Sequence, residues 1–155
     1  MPTTAQTLAV LLDNQRSRTR HALAALPPEL FTRDPGGEAN TIRTICEHMI
    51  RLHTFQMMLI GSPLADGAPS NEGVITVDEA IGRLMEGSER LERAIDDVPE
   101  EDWLRTFSPP PMKDKWPNDP QLVRLARPFN DYSNHLGAIR AIRRVFGSPA
   151  ETTQD

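Results

Sequence analysis

Two histidines and one aspartate carry the most legible chemistry in this 155-residue chain: His48, Asp131 and His135. Asp131 and His135 are four apart, so on a helix they stack on one face, one turn from each other. Side chains at that interval on a rigid helix bind one ion with little ordering cost. A third ligand from a facing helix, His48, then completes one face of a coordination shell. Two imidazoles and a carboxylate leave positions open for water or substrate. That set suits a divalent ion, zinc first, with nickel, iron or manganese as the other fits. The Asp-x-x-x-His spacing is weak by itself, because many helices carry it by chance as a surface ion pair.

Such ligands need rigid elements to hold them. Three Pro/Gly-rich stretches punctuate the chain: Pro27 to Gly37, Gly61 to Gly73, and Arg105 to Asn118. They leave four segments long enough for helices. The first, Thr4 to Leu26, repeats Leu8, Leu12, Gln15, Thr19, Leu23 and Leu26 at steps of three and four. The second starts at Asn40 or Thr41, a plausible N-cap, and runs to about Ile60. The third runs from near Asp78 to Val98 with Ala80, Ile81, Leu84, Leu91 and Ile95 as its apolar set. The fourth starts at Asp119-Pro120, read as a cap followed by proline, and runs to Phe146-Gly147. Pro128 should kink that helix or mark its true start. The short run Val74 to Val77 is the one β-branched stretch. The fold expected is therefore all-α, an antiparallel four-helix bundle forming a single domain over residues 1–155. Leu8, Leu12, Ile45, Leu52, Leu84, Leu91, Leu136 and Ile139 should share one core.

A helix advances about 100° per residue. With Ile45 as zero, Ile42, Met49, Leu52, Gln56 and Leu59 fall within about 60°, and His48 at about −60°. With Tyr132 as zero, Leu125, Phe129, Leu136 and Ile139 fall within about 60°, His135 at about −60° and Asp131 at about −100°. All three candidate ligands thus sit on the shoulders of buried faces. A carboxylate buried there needs a partner.

Two stretches resemble motifs of the DinB-like metalloenzyme superfamily. Asp131-Tyr-Ser-Asn-His135-Leu-Gly137-Ala-Ile139, followed by Arg140, Arg143 and Arg144, is similar to its last-helix motif H-x-x-x-H-x-G-Q-I with trailing basic residues. Asn40 to Leu52, with Ile45 and His48, resembles its second-helix motif. The resemblance implies a four-helix bundle holding a divalent metal on three histidines. It also implies frequent homodimers and, in characterised branches, transfer or isomerisation chemistry with low-molecular-weight thiols. The chain departs from the pattern twice. Asp131 replaces the first histidine of the last-helix pair, and Ala138 replaces the glutamine. Asp131 still ligates zinc, iron or manganese, but its charge makes the ion less electrophilic; alternatively it marks a site that has lost its metal.

The other chemistry-bearing residues have plainer readings. Cys46 reads as a buried small hydrophobe rather than a reactive thiol. His53 lies about 140° from His48 around the helix, which favours a core or interface histidine. His21 and Glu47 point away from their apolar faces, toward solvent. Gly137 reads as a close-packing residue, and Met49, Met57 and Met58 as core or dimer contacts. Arg124, Arg127, Arg140, Arg143 and Arg144 read as a solvated face. The long loop with Trp103, Phe107, Pro109 to Pro111, Met112 and Trp116 is either a lid over a pocket or a surface connection burying the tryptophans.

Composition narrows the function. A net charge of −5 gives no electrostatic reason to bind nucleic acid. No apolar run approaches the roughly 18 residues of a membrane span, and no secretory pattern opens the chain. One cysteine makes no internal disulfide and no thiolate zinc finger. The expectation is a cytoplasmic homodimer acting on a small molecule. Two functions compete: a metal-dependent hydrolase or thiol-linked transferase on His48, Asp131 and His135, or a catalytically inactive dimeric bundle acting as a stress-related or small-molecule binding protein. No separate general base stands out.

Overall fold

A computed structural model describes residues 1–106, 112 and 115–150, and it is all-helical: five α-helices and, among the described residues, no strand. Helix α1 spans Thr4–Leu23, α2 Pro28–Phe31, α3 Ile42–Leu59, α4 Val77–Asp96 and α5 Gln121–Val145. Thr3 caps α1, its hydroxyl accepting from the Gln6 amide while the Gln6 side chain accepts from the Thr3 amide. Thr41 and Thr76 cap α3 and α4 in the same way with one side-chain bond each. The β-branched run therefore ends in a cap, not in a strand.

At α5 the expected cap is absent. Pro120 is the N-cap residue, and Asp119 instead pairs with Arg127 at 2.7 Å. The first amides of α5 are satisfied by the loop before it: Gln121 donates to the Arg105 carbonyl and Leu122 to the Trp103 carbonyl. Pro128 lies inside the helix, which continues through it.

Helices α1 and α3 each pack on both α4 and α5. The buried apolar residues form two clusters. One holds Ile45, Leu52, Leu84, Leu136 and Ile139; the other holds Leu8, Leu12 and Leu91 with Leu125 and Trp103. The single core expected is thus divided. Between the clusters, every long helix contributes buried polar groups: Gln15 and Thr19, His53 and Gln56, Ser88, and the Tyr132 hydroxyl. Thr19 donates to the Gln15 carbonyl at 2.7 Å, so at 2.9 Å its oxygen accepts from Tyr132.

The order of the clusters along each helix gives its direction. α1 and α5 run from the second cluster to the first, α3 and α4 from the first to the second. The segment after α3 makes that possible. Ile60 and Leu64 lie in the second cluster and Val74 in the first, so this segment returns along the length of the helices. Arg90 and Arg83 of α4 hold it by donating to the carbonyls of Leu64 and Asp66 and of Ser70 and Glu72.

Candidate metal centre

His48 projects from α3, and Asp131 and His135 from α5, beside the seam where these helices pack. The Ile45, Met49 and Leu52 face buries one side of α3, and the Tyr132, Leu136 and Ile139 face one side of α5. Burying these faces turns both shoulders toward each other, as the wheel requires. His48 Nε2 lies 3.5 Å from one Asp131 oxygen and His135 Nε2 lies 3.6 Å from the other. The two imidazole rings meet edge to face with centroids 4.6 Å apart. One donor atom from each residue falls within 4.8 Å of the others.

These separations fit a shared ion better than a hydrogen-bonded cluster. Neither nitrogen–oxygen distance is a normal hydrogen bond. Among the described residues, the buried His135 Nε2 has no hydrogen-bond partner. Ligands about 2.1 Å from one tetrahedral ion stand about 3.4 Å from each other; one atom from each of the three residues falls within 4.8 Å of the others, so small side-chain rotations would bring them onto a shared ion. Burial, partly opposed by the Asp131 charge, lowers the His135 pKa and so favours the neutral, ligating form. The side chains are 32%, 48% and 24% exposed for His48, Asp131 and His135, which leaves a solvent path to them.

One contact opposes ligation. Arg51 Nη2 lies 2.9 Å from His48 Nδ1. A guanidinium only donates, so Nδ1 accepts there. An imidazole that ligates through Nε2 carries its proton on Nδ1, and the two donors then collide. The exposed Arg51 side chain would have to swing away for His48 to ligate an ion through Nε2.

Two recesses flank the cluster and share His48 and Arg51. One, about 330 Å³, is lined by Glu47, Asn71 and His135 among others. The other, about 390 Å³, is walled by Leu52, Phe55, Lys115, Trp116 and Asp131. Glu47 therefore does not simply face solvent. It borders the first recess, its side chain is 23% exposed, and it pairs with Arg43 at 3.2 Å.

Cys46, His53, Met49 and Met57 follow their sequence readings, whereas Gly137, Arg124 and Arg143 depart from them. Cys46 is fully buried, and burial pushes its thiol up to about 12, so it is inert. His53 is a core histidine, buried against the Tyr132 ring at 5.2 Å. Gly137 is exposed with nothing near its missing side chain; the close-packing glycine is Gly87, where an added Cβ would stand 2.8 Å from His53 Nδ1. Met49 and Met57 are core residues, which removes them from any dimer face. Arg124 and Arg143 are buried rather than solvated. Arg143 donates to the Ala22 and Ala24 carbonyls and so closes the end of α1. Among the described residues, the Arg124 guanidinium has no hydrogen-bond partner. Trp103 belongs to the core, whereas Trp116 stands over Phe55. Phe107 and Pro109 to Pro111 of the expected lid lie outside the described residues.

Residues 11–126 match the family model described as the DinB superfamily. The matched stretch contains His48 and ends before Asp131 and His135, so the match itself does not extend to the latter two. No curated protein matches the chain.

Proposed function

We propose that this chain, which belongs to the DinB superfamily, is a metal-dependent enzyme that holds one divalent ion on His48, Asp131 and His135. The observation that carries the reading is the Asp131 carboxylate set between two Nε2 atoms, one of them buried and without a partner. An ion bound there supplies Lewis acidity that lowers the pKa of a water or a thiol. The chain's own residues do the rest. α3 and α5 hold the three donors in place, and the burial of His135 favours its neutral, ligating form. The two recesses give a small-molecule substrate access on either side. Hydrolysis and transfer to a thiol both suit this arrangement, with zinc the first candidate.

The reading extends to the scaffold. The four long helices form one bundle domain in an up-down-down-up order, with the crossover from Ile60 to Thr76 joining the parallel pair α3 and α4. A second copy of the chain is its partner, docking on exposed apolar residues such as Val10, Leu11 and Val123. The net charge of −5 opposes a nucleic-acid partner. No helix among the described residues is long and apolar enough to cross a membrane, which agrees with a cytoplasmic enzyme.

Equilibrium dialysis of chelator-treated protein against zinc tests the centre. One ion per chain is expected. Asp131→Asn should lose it, and Asp131→His, which restores three imidazoles, should keep or tighten it. Uptake that is absent, or unchanged in Asp131→Asn, defeats the reading and leaves a metal-free binding bundle.

A further inference from the structure

The second recess differs from its surroundings in charge. The chain is acidic overall, yet this recess carries two cations, Arg51 and Lys115, against a single carboxylate, Asp131. That carboxylate is turned to the two histidines. Arg51 and Lys115 form no ion pair among the described residues. A cation without a carboxylate partner beside a recess is an offer to an anion.

The walls between these cations are flat and apolar. Phe55 and Trp116 meet edge to face with centroids 6.3 Å apart, above the buried Leu52. Lys115 Nζ lies 5.0 Å from the Trp116 ring and 6.0 Å from Phe55, so the ammonium sits at the rim of the aromatic corner. Arg127 backs the indole at 4.9 Å, and Asp119 already neutralises it. Trp116 also pays for its place: its φ of +50 lies in the left-handed region that a bulky residue rarely adopts. Backbone strain of that kind collects at ligand clamps. A recess of about 390 Å³ is of a size that holds a small ligand.

We infer that this recess binds a small organic anion with a flat apolar body, an aromatic carboxylate being the simplest form, with Phe55 and Trp116 against the ring and Arg51 and Lys115 on the charge. The inference deepens the metal-enzyme reading by naming a substrate class, and rests on it for the recess being a substrate site. Binding of the anion itself does not require the ion. Arg51 has a double place here, since moving to an anion takes it off His48 Nδ1.

Benzoate and its neutral relative benzamide are the probes, read by tryptophan fluorescence of chelator-treated protein. Benzoate should quench saturably, and benzamide should bind about tenfold more weakly or worse, the worth of one charged hydrogen bond. Lys115→Gln and Arg51→Gln should each weaken benzoate by about tenfold, and Lys115→Arg should restore it. Both side chains are exposed, so these variants keep the fold. Trp116→Phe should remove the signal, leaving only the buried Trp103. Equal binding of benzamide, full binding in an Arg51→Gln, Lys115→Gln double variant, or a signal that survives Trp116→Phe overturns the inference. Benzoate binding without zinc uptake supports the recess and defeats the metal reading. Zinc uptake without a benzoate response does the reverse.

Discussion

Two histidines of α3, His48 and His53, both meet α5, about one and a half turns apart. Their surroundings give them opposite uses. His53 is sealed in the polar layer between the two apolar clusters, stacked on Tyr132 and closed off by Gly87. No carboxylate is shown within its reach, and burial, helped by the Arg16 charge, drives its pKa down to about 4. His48 stands on the shoulder of the same helix, a third exposed, with a carboxylate and a second imidazole converging on its Nε2. A buried histidine with no carboxylate within reach is a packing element. A partly exposed one among converging donors is placed to ligate an ion.

Crossing the two positions tests that contrast most severely. His48→Ala or His135→Ala should weaken zinc binding by at least about 100-fold, since a ligand is worth more than the second-shell contacts that cost 10–100-fold. Stability should barely move. His53→Ala should leave zinc uptake intact and lower unfolding stability by roughly 2–4 kcal/mol, as for other large buried side chains cut to alanine. Dialysis and urea titration on the same three variants give both readouts. Zinc lost on removal of His53, or kept without His48, erases the distinction.

The pH dependence of folding sharpens it. The unfolded chain protonates His53 near 6.5, the folded chain only near 4. Between those values the unfolded state binds more protons, so stability rises with pH across the window. On acidification from 6.5 to 4 the folded state should lose about 3 kcal/mol from this one group, and no more from it below pH 4. His53→Gln should flatten that part of the profile. An unchanged slope in the variant would show that other groups carry it.

Gly87 is the next smaller effect. An alanine Cβ there would stand 2.8 Å from His53 Nδ1 and 3.3 Å from its Cβ and Cγ. The ring has Tyr132 beside it and cannot simply retreat. Gly87→Ala should therefore cost about 1–3 kcal/mol, in spite of alanine's better helix propensity. Gly137→Ala, with open space around it, should stabilise by up to about 1 kcal/mol. Thermal melts of the two variants should shift in opposite directions.

How much of this the sequence carried depends on the range of the cause. The four long helices follow from apolar steps of three and four, which are local, and their observed ends fall close to the expected ones. The convergence of His48, Asp131 and His135 also follows, because each shoulder angle is set by its own helix's apolar face. What was not legible depends on a partner element. Helix α2 is four residues, too short for a period, though Leu30 and Phe31 anchor it in the core. The matching direction of α3 and α4 depends on a crossover whose Pro/Gly content shows only that it is not helical. Gly87 looks like any helical glycine until His53 arrives from α3. Arg143 finds its acceptors more than 100 residues away.

The smallest effect concerns Arg51, where the two histidines differ most finely. His53 Nδ1 faces Gly87 and has no partner among the described residues, whereas His48 Nδ1 accepts from Arg51 at 2.9 Å. For His48 to ligate through Nε2 as a neutral ring, Nδ1 must carry the proton, and the bond to Arg51 must break. Breaking one hydrogen bond to a charged group near the surface costs roughly 1 kcal/mol. Arg51 also adds a positive charge beside the site of a cation. Arg51→Met keeps most of the side chain's apolar length and removes both effects. It should tighten zinc about fivefold, the equivalent of roughly 1 kcal/mol, while weakening benzoate. Arg51→Lys should fall between, since the ammonium keeps the charge without the fixed fork of donors. Zinc affinity that is unchanged in Arg51→Met would mean that this contact does not restrain His48. Affinity that falls would make Arg51 a support of the centre rather than its competitor.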